Sequence, residues 1–293
     1  MIKITGALLV SLLFFVPPHV LAQRYQPLDS EEGGFEDYMS WLWEGSFRPF
    51  LEATIGNTQP QHQVHEAELT KIGIIEGKLG YSEIEPYKRF AHSLDERYVY
   101  GSYLEKDLRF VDKDERTGNV DTKYIRFGVG NRLGFGYKVG PTRLLLYNQN
   151  ALAWTEMESE RPEGLAQSDI DILDRYENFY RFGTLAEAGL KFDLFKSFYA
   201  NASLEGAVIF PRHIFWEWLG SAMLQYGALG AISAFSERIV DSHPIIGPLL
   251  FFVLKNGVSY LFYMGMQDDM NWPFTSEAPL TLESFKLSAG IAF

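Results

Sequence analysis

The sequence predicts an all-β protein: a closed antiparallel β-barrel of about ten strands, with eight strands as the alternative, plus a short N-terminal helix and a hydrophobic helical insert. Three observations support this fold class. Many segments alternate apolar and polar residues, long and short connections alternate between them, and the last nine residues form an amphipathic strand pattern. With 46% hydrophobic and 15% aromatic residues, the chain can bury a substantial core.

Composition excludes several classes of function. The 293 residues include 26 Lys and Arg against 38 Asp and Glu, which gives a net charge of −12. Nucleic acid is therefore not an expected partner, because binding to phosphates needs a basic surface. The absence of cysteine excludes disulfide scaffolds, thiolate metal sites and cysteine nucleophiles. No motif indicates a cofactor, and none is expected.

Residues 1–22 are typical of an export signal. Lys3 supplies a positive charge, residues 7–16 form an apolar run that contains one serine, and the small Ala22 precedes the polar Gln23. We expect cleavage between Ala22 and Gln23, with an uncleaved membrane anchor as the alternative, although the apolar run is short for a membrane span. An exported, acidic chain without cysteine fits a bacterial envelope.

Residues 23–46 form an acidic leader that contains one short amphipathic segment. Phe35, Met39 and Leu42 follow helical spacing, and two tryptophans lie beside them in sequence. The spacing predicts a helix of two to three turns. Its tryptophan-bearing face fits a membrane surface and the side of the folded domain equally well.

From residue 47 onward, apolar residues recur with period two. In the first segment Leu51, Ala53 and Ile55 share one face, whereas Glu52 and Thr54 share the other. Such alternation predicts strands with one apolar and one polar face. The predicted strands are 50–55, 69–81, 97–104, 122–139, 142–155, 180–193, 196–210, 248–255, 258–267 and 282–293.

The two strands over 248–267 are predicted from a turn motif. Two apolar runs flank Asn256-Gly257, and this dipeptide is the strongest short-range signal for a β-hairpin. The alternative is a helix over 245–266. Pro248 and the Asn-Gly pair disfavour that helix, so the hairpin is the preferred interpretation.

The last predicted strand carries a resemblance to a known group. Its apolar residues alternate with polar or small ones and end on phenylalanine; they are Phe285, Leu287, Ala289, Ile291 and Phe293. This pattern resembles the assembly signal of bacterial outer-membrane β-barrels. The resemblance implies a monomeric transmembrane barrel in the outer membrane of a Gram-negative bacterium, with membrane lipid and the barrel-assembly machinery as partners.

Connection lengths test the barrel prediction independently. In such barrels, short turns at one end alternate with long loops at the other. The predicted connections after strands 4, 6 and 8 are short, and those after every odd strand are long. The connection 82–96, after strand 2, is too long for its class. A soluble β-sandwich is the alternative fold, but it requires neither the alternation nor the last strand.

Residues 211–247 interrupt the strand pattern as an apolar insert. Eighteen consecutive residues, 218–235, carry no charge, and no turn signal divides them, so a helix is predicted over 214–240. This helix could plug the barrel, lie on the outer leaflet, or span the inner membrane. The plug is preferred, because the apolar helix needs an apolar partner. Its predicted lumenal residues are Leu219, Leu224, Leu229 and Phe235.

Candidate chemistry is sparse. The spacing of His62 and His65 differs from the i, i+4 spacing of metal ligands on a helix, so these two residues are only a weak candidate for a metal site. Charged residues on the lumenal side of the strands are expected to pair with one another inside the barrel. They are Glu52, Glu76, Lys78, Arg126, Glu187 and Lys191.

The sequence favours a non-enzymatic function, as an envelope scaffold or as a binder or conduit of hydrophobic molecules. The supporting observation is the amount of apolar surface in the insert and its neighbouring segments. An outer-membrane lipid hydrolase or acyltransferase is the first alternative. It requires a cluster of Ser, His and an acid at the outer rim, with His92, His213 or His243. An inner-membrane protein anchored by helix 214–240 is the second.

Overall fold

Eight antiparallel strands close into one barrel, in which strands adjacent in sequence pair with each other and the last strand pairs with the first. The computed structural model describes residues 47–87, 91–109, 120–194, 197–212 and 214–293. The expected export signal, the leader 23–46 and His213 lie outside these residues. The strands are β1 (Arg48–His62), β2 (Ile72–Pro86), β3 (Ala91–Glu105), β4 (Asp121–Val139), β5 (Thr142–Glu160), β6 (Arg181–Asp193), β7 (Phe198–Ile209) and β8 (Leu280–Ala292); the helices are α1 (Gln167–Leu173), α2 (Phe215–Ser242) and α3 (Gly247–Asp268).

The closed antiparallel barrel is confirmed, but the count of ten strands is wrong and the alternative of eight is right. The predicted hairpin over 248–267 is one continuous helix, α3. Pro248 lies in the first turn of α3, where a missing backbone N–H costs nothing. Asn256 continues the helix and donates its side-chain amide to the Phe252 carbonyl at 2.9 Å. Pro248 thus marks the start of a helix, and the Asn256-Gly257 pair is tolerated in its middle.

The observed strand bounds remove the exception in the connection pattern. β2 ends at Pro86 and β3 begins at Ala91, so the connection between them is short. The connections after β1, β3, β5 and β7 are long and lie at one end of the barrel, which we call the long-loop end. Those after β2, β4 and β6 are short and lie at the other, the short-turn end. The insert after β7 is longer than the predicted 211–247, because it contains both α2 and α3.

Most of the barrel wall is apolar on its outer face and polar inside. Leu51, Ile55, Ile75, Leu79 and Val99 point outward, and their side chains are between 43% and 55% exposed. The alternate residues of the same strands face the lumen and are buried. This arrangement is the reverse of a water-soluble domain and matches a barrel whose wall is surrounded by lipid.

Strand β5 departs from this pattern because a helix covers it. Asn148 and Asn150 face outward, yet both are buried. Asn148 donates hydrogen bonds to Asn256 Oδ1 at 2.8 Å and to Ser259 Oγ at 3.1 Å, both on α3. The polar outer face of β5 is therefore a packing surface for α3, and its amides are satisfied there.

Helices α2 and α3 form a hairpin that runs along the outside of the barrel. Near the short-turn end, Tyr137 of β4 donates a hydrogen bond to the Ile245 carbonyl, in the turn between the helices. Near the long-loop end, Gln267 of α3 donates to Glu283 of β8 at 3.3 Å. The hairpin thus runs from the long-loop end to the short-turn end and back to the long-loop end.

The predicted lumenal residues of the insert lie outside the barrel. Leu219 packs with Trp218 against the outer wall, and Leu229 is buried in α2. Leu224 and Phe235 are 50% and 59% exposed on the outer surface of the hairpin. The lumen offers the helix no apolar space, because charged side chains fill it.

Substitution of two glycines by alanine distinguishes the helix from the predicted hairpin. Gly257 lies in mid-helix with nothing near an added Cβ, whereas Gly140 has a φ of +63° in the turn after β4. We expect Gly257→Ala to raise the free energy of unfolding by up to about 1 kcal/mol, since alanine favours helix. Gly140→Ala should lower it by about 1 kcal/mol, because of left-handed strain. Urea unfolding in detergent measures the free energy of unfolding of both variants. If Gly257→Ala destabilises the protein, residues 256–257 form a β-turn and the helix is wrong.

Candidate functional site

The lumen is filled by an ion-pair network. Five carboxylates and five cationic side chains meet there, so the buried charge sums to zero, and every one of them has a residue exposure of 4% or less. The expectation that the lumenal charges pair with one another is confirmed. The network consists of Glu52, Glu76, Glu96, Glu187 and Glu205 with Lys78, Arg126, Arg132, Lys191 and Lys286.

Arg132 of β4 connects one half of this network. Its guanidinium donates to Glu96 at 2.6 Å and to Glu52 at 3.1 Å. Its Nε donates to Gln149 at 3.1 Å, and its plane lies 4.4 Å from the centre of the Tyr147 ring. A guanidinium suits this position because its five donors can satisfy several acceptors at once.

Lys286 of β8 and Arg126 of β4 connect the other half. Lys286 pairs with Glu76 at 3.0 Å and also contacts Glu205. Arg126 pairs with the same two carboxylates, at 3.3 Å and 2.8 Å. Lys78 joins the two halves, because it lies 3.2 Å from Glu52 and 3.4 Å from Glu76.

Apolar side chains close the lumen at the long-loop end. Leu69, Val120, Leu173 and Tyr176, all from the connections, pack into one buried cluster with the lumenal residues of the strands. Asp169 of α1 anchors this cap, because its carboxylate accepts hydrogen bonds from the backbone N–H groups of residues 66 and 67 at 3.0 Å and 3.2 Å. A capped lumen filled with charge pairs is a rigid core rather than an aqueous channel.

A groove of about 730 Å³ lies on the outer wall, beside α3. Its volume lies in the ordinary range of small-molecule pockets. Small side chains and one leucine form its floor: Ala186 and Ala188 on β6, and Leu204 and Gly206 on β7. Tyr260 and Tyr263 of α3 form one side.

Strand register explains where the groove lies. Ala188, Leu204, Phe285 and Asn57 occupy one row across β6, β7, β8 and β1, and Asn148 of β5 begins the same row. α3 covers the β5 end, so the remainder of the row stays open. Gly206 lies in the next row, and a Cβ there would be 3.0 Å from the Tyr263 ring. Glycine therefore permits the close approach of α3 that shapes the groove.

Polar groups gather where the groove approaches the long-loop end. Lys71, directly before β2, and Arg109, after β3, both line this part of the groove. The two segments are close, because a Cβ at Gly73 would lie 2.1 Å from the Leu108 carbonyl carbon. Glu283 lines the groove on β8 and accepts a hydrogen bond from Tyr263 at 3.3 Å.

Within the described residues, His62 and His65 are not grouped with a third potential metal ligand. The His62 ring accepts a hydrogen bond from the Val64 N–H at 3.3 Å and packs edge-on against Tyr176. His65 Nδ1 lies 2.5 Å from the Ala67 carbonyl. Among the described residues, no group of three or more His, Asp or Glu side chains could hold a metal ion.

Two of the three histidines considered for hydrolysis, His92 and His243, lie away from the outer rim. His92 is in β3 opposite Pro86, and His243 follows α2, so both lie at the short-turn end. Ser242 contacts His243 at 3.1 Å, but its hydroxyl donates to the Arg238 and Ile239 carbonyls of its own helix. This serine is occupied by helix contacts instead of being presented to a substrate.

The apolar residues of the last strand lie on one face, as predicted. Phe285 and Leu287 are 49% and 48% exposed on the outer wall, and Phe293 is 63% exposed. Arg48 of β1 donates hydrogen bonds to the carbonyls of Ala292 and Phe293, both at 2.9 Å. These contacts join the beginning of β1 to the end of β8.

No protein-family model and no curated protein sequence matches this chain. Among solved structures, it is similar to Neisserial surface protein A, with 7% identity and a TM-score of 0.39, over 84% of this chain and 97% of that one. It is also similar to Ail, the attachment invasion locus protein of Yersinia pestis, with 10% identity and a TM-score of 0.30, over 84% and 99%. With TM-scores this low, the fold assignment rests on the strand pairing of this chain.

Removal of Arg132 tests the importance of the lumenal network. Arg132→Met leaves Glu52 and Glu96 without their shared guanidinium, and we expect a loss of about 3–5 kcal/mol in the free energy of unfolding. The control is Lys123→Met, which breaks a pair with Glu158 on the exposed surface and should change the free energy of unfolding much less than Arg132→Met. Urea unfolding in detergent measures both. Equal effects would mean that the network does not stabilise the barrel.

Proposed function

We propose that this chain is an outer-membrane β-barrel without enzymatic activity that binds hydrophobic molecules in the groove beside α3. The observation that carries the proposal is an open groove with an apolar floor on the outer wall of a barrel whose lumen is filled. A binding site for a hydrophobic molecule needs apolar walls and a few polar groups that fix orientation, and the groove has both.

The placement in an outer membrane is supported by the surface of the molecule. An apolar band surrounds most of the wall, connection lengths differ between the two ends, and the last strand carries the alternation described above. α3 is the one helix among the described residues that is long and apolar enough to cross a membrane. Its 22 residues extend about 33 Å, close to the thickness of the hydrocarbon layer.

The exposed face of the helical hairpin fits the same environment. Met223, Leu224, Val253, Leu261 and Met264 are between 47% and 66% exposed, on the side away from the barrel. In water this apolar surface would favour aggregation, whereas in a bilayer it contacts acyl chains. The groove would then open toward lipid, which supplies hydrophobic molecules directly.

Mobility on a denaturing gel tests the barrel in its membrane form. A closed barrel resists detergent until it is boiled, so we expect the unboiled, detergent-extracted protein to migrate faster than the boiled protein. Fractionation of envelopes should place the same band with outer membranes. Identical mobility before and after boiling, or a band with inner membranes, would contradict the proposal.

Substitutions in the groove test ligand binding. Tyr260→Ala removes one wall and Ala188→Leu fills the floor, so we expect each to weaken binding of 1-dodecanol at least about fivefold, as measured by native mass spectrometry. Matched controls are Leu261→Ala, exposed on the same helix, and Ala53→Leu, exposed on β1; neither residue lines the groove. Equal losses in variants and controls would indicate nonspecific partition.

A further inference from the structure

The cationic end of the groove has no role in binding a neutral hydrophobic molecule. Lys71 and Arg109 line the groove where it approaches the long-loop end, whereas its apolar floor lies lower on β6 and β7. Lys71 is exposed, and within the described residues it has no ion pair or hydrogen bond. The groove thus combines an apolar body with two cations at one end.

We propose that the groove holds one phosphate-bearing lipid, with a hydrocarbon chain along its apolar floor and the phosphate against Lys71 and Arg109. This inference rests on the proposed function and adds the chemical class of the ligand. Cations at the polar end complement an anionic phosphate, and two donors on separate segments suit its several acceptor oxygens.

Within the described residues, Asp121, the acid that interacts with Arg109, already has a lysine partner. Lys106, next to Arg109 in the same turn, donates to Asp121 at 2.5 Å, and this hydrogen bond raises the pKa of Lys106 above its ordinary value. Lys106 therefore neutralises Asp121. Arg109 donates its Nε to the Lys106 carbonyl at 3.0 Å, which positions its guanidinium without using an acid.

Among the described residues, three carboxylates line the groove, and two of them, Glu187 and Glu205, are paired with Lys286 inside the lumen. The third is Glu283, which lies outside the lumenal network. It accepts hydrogen bonds from Tyr263 and Gln267, both from α3 and both at 3.3 Å. These two donors keep the Glu283 carboxylate directed at α3. Because lumenal cations neutralise Glu187 and Glu205, only Glu283 of these three opposes Lys71 and Arg109 in the groove. The groove therefore carries a net positive charge and favours an anionic ligand.

The orientation of the groove also matches that of a lipid in a bilayer. The cations lie at the long-loop end, where strands give way to loops, and the floor lies toward mid-height of the wall. A lipid places its phosphate at the membrane boundary and its chain toward the middle. The groove and the lipid therefore both change from charged to apolar in the direction from the membrane boundary to the middle of the bilayer.

Three probes offered separately to the purified full-length chain in detergent test the inference: dodecyl phosphate, 1-dodecanol and inorganic phosphate. Native mass spectrometry counts the bound molecules. We expect one dodecyl phosphate per barrel, bound about tenfold more tightly than 1-dodecanol, and no binding of inorganic phosphate at the same concentration. Lys71→Gln should weaken dodecyl phosphate about threefold and K71Q/R109Q about tenfold, with 1-dodecanol unchanged. The control is Lys138→Gln, an exposed lysine at the short-turn end.

The outcomes separate this inference from the function on which it rests. If both dodecyl probes bind equally and Lys71→Gln changes neither, the groove takes a hydrocarbon chain without a phosphate, and the inference is wrong. If inorganic phosphate binds as tightly as dodecyl phosphate, the site is an anion site and the lipid is excluded. If Ala188→Leu leaves both dodecyl probes unaffected, the proposed function itself fails. Faster migration before boiling confirms that each variant is folded.

Discussion

The rest of the structure depends on the neutralisation of ten buried charges inside the barrel. Burial of an isolated charge costs several kcal/mol, and only partners with good geometry offset that cost. The two halves of the network share Lys78, so the loss of one member leaves others unpaired. The lumen is consequently committed to this network. It has no room for a helix, and the long apolar insert after β7 must be buried elsewhere.

The position of the hairpin follows from that constraint and shapes the outer wall. Where α3 covers β5, the wall carries the buried amides Asn148 and Asn150 instead of apolar side chains. Beside β5, the outer wall carries only small side chains at Ala186, Ala188 and Gly206. Tyr260 and Tyr263 of α3 form the side of the groove next to them. The groove is thus a consequence of a helix packed against only part of a curved surface. The groove opens outward, on the same outer face of the wall as the apolar band.

Period-two alternation is sufficient to predict all eight strands in order, including the last strand and its outward face. Several lumenal ion pairs were also predictable, because Glu52 and Lys78 fall on the polar face of amphipathic strands. Four other members of the network are absent from the predicted set, although the same parity places them in the lumen: Glu96, Arg132, Glu205 and Lys286. Helix α3 was mistaken for a hairpin, since Asn256-Gly257 is a turn signal only where the chain must reverse. The sequence signal for a helix packed on β5 is the pair of polar residues on its outer face, Asn148 and Asn150.

The location of the groove could not be derived from the sequence, because it depends on register between strands distant along the chain. Ala188, Leu204, Phe285 and Asn57 are adjacent only through the pairing of β6, β7, β8 and β1. Arg109 joins them because the turn after β3 packs on Gly73. With the interior closed, the groove on the outer surface is the site where the proposed ligand would bind. In a membrane, the proposed lipid would reach this groove laterally, without extraction into water.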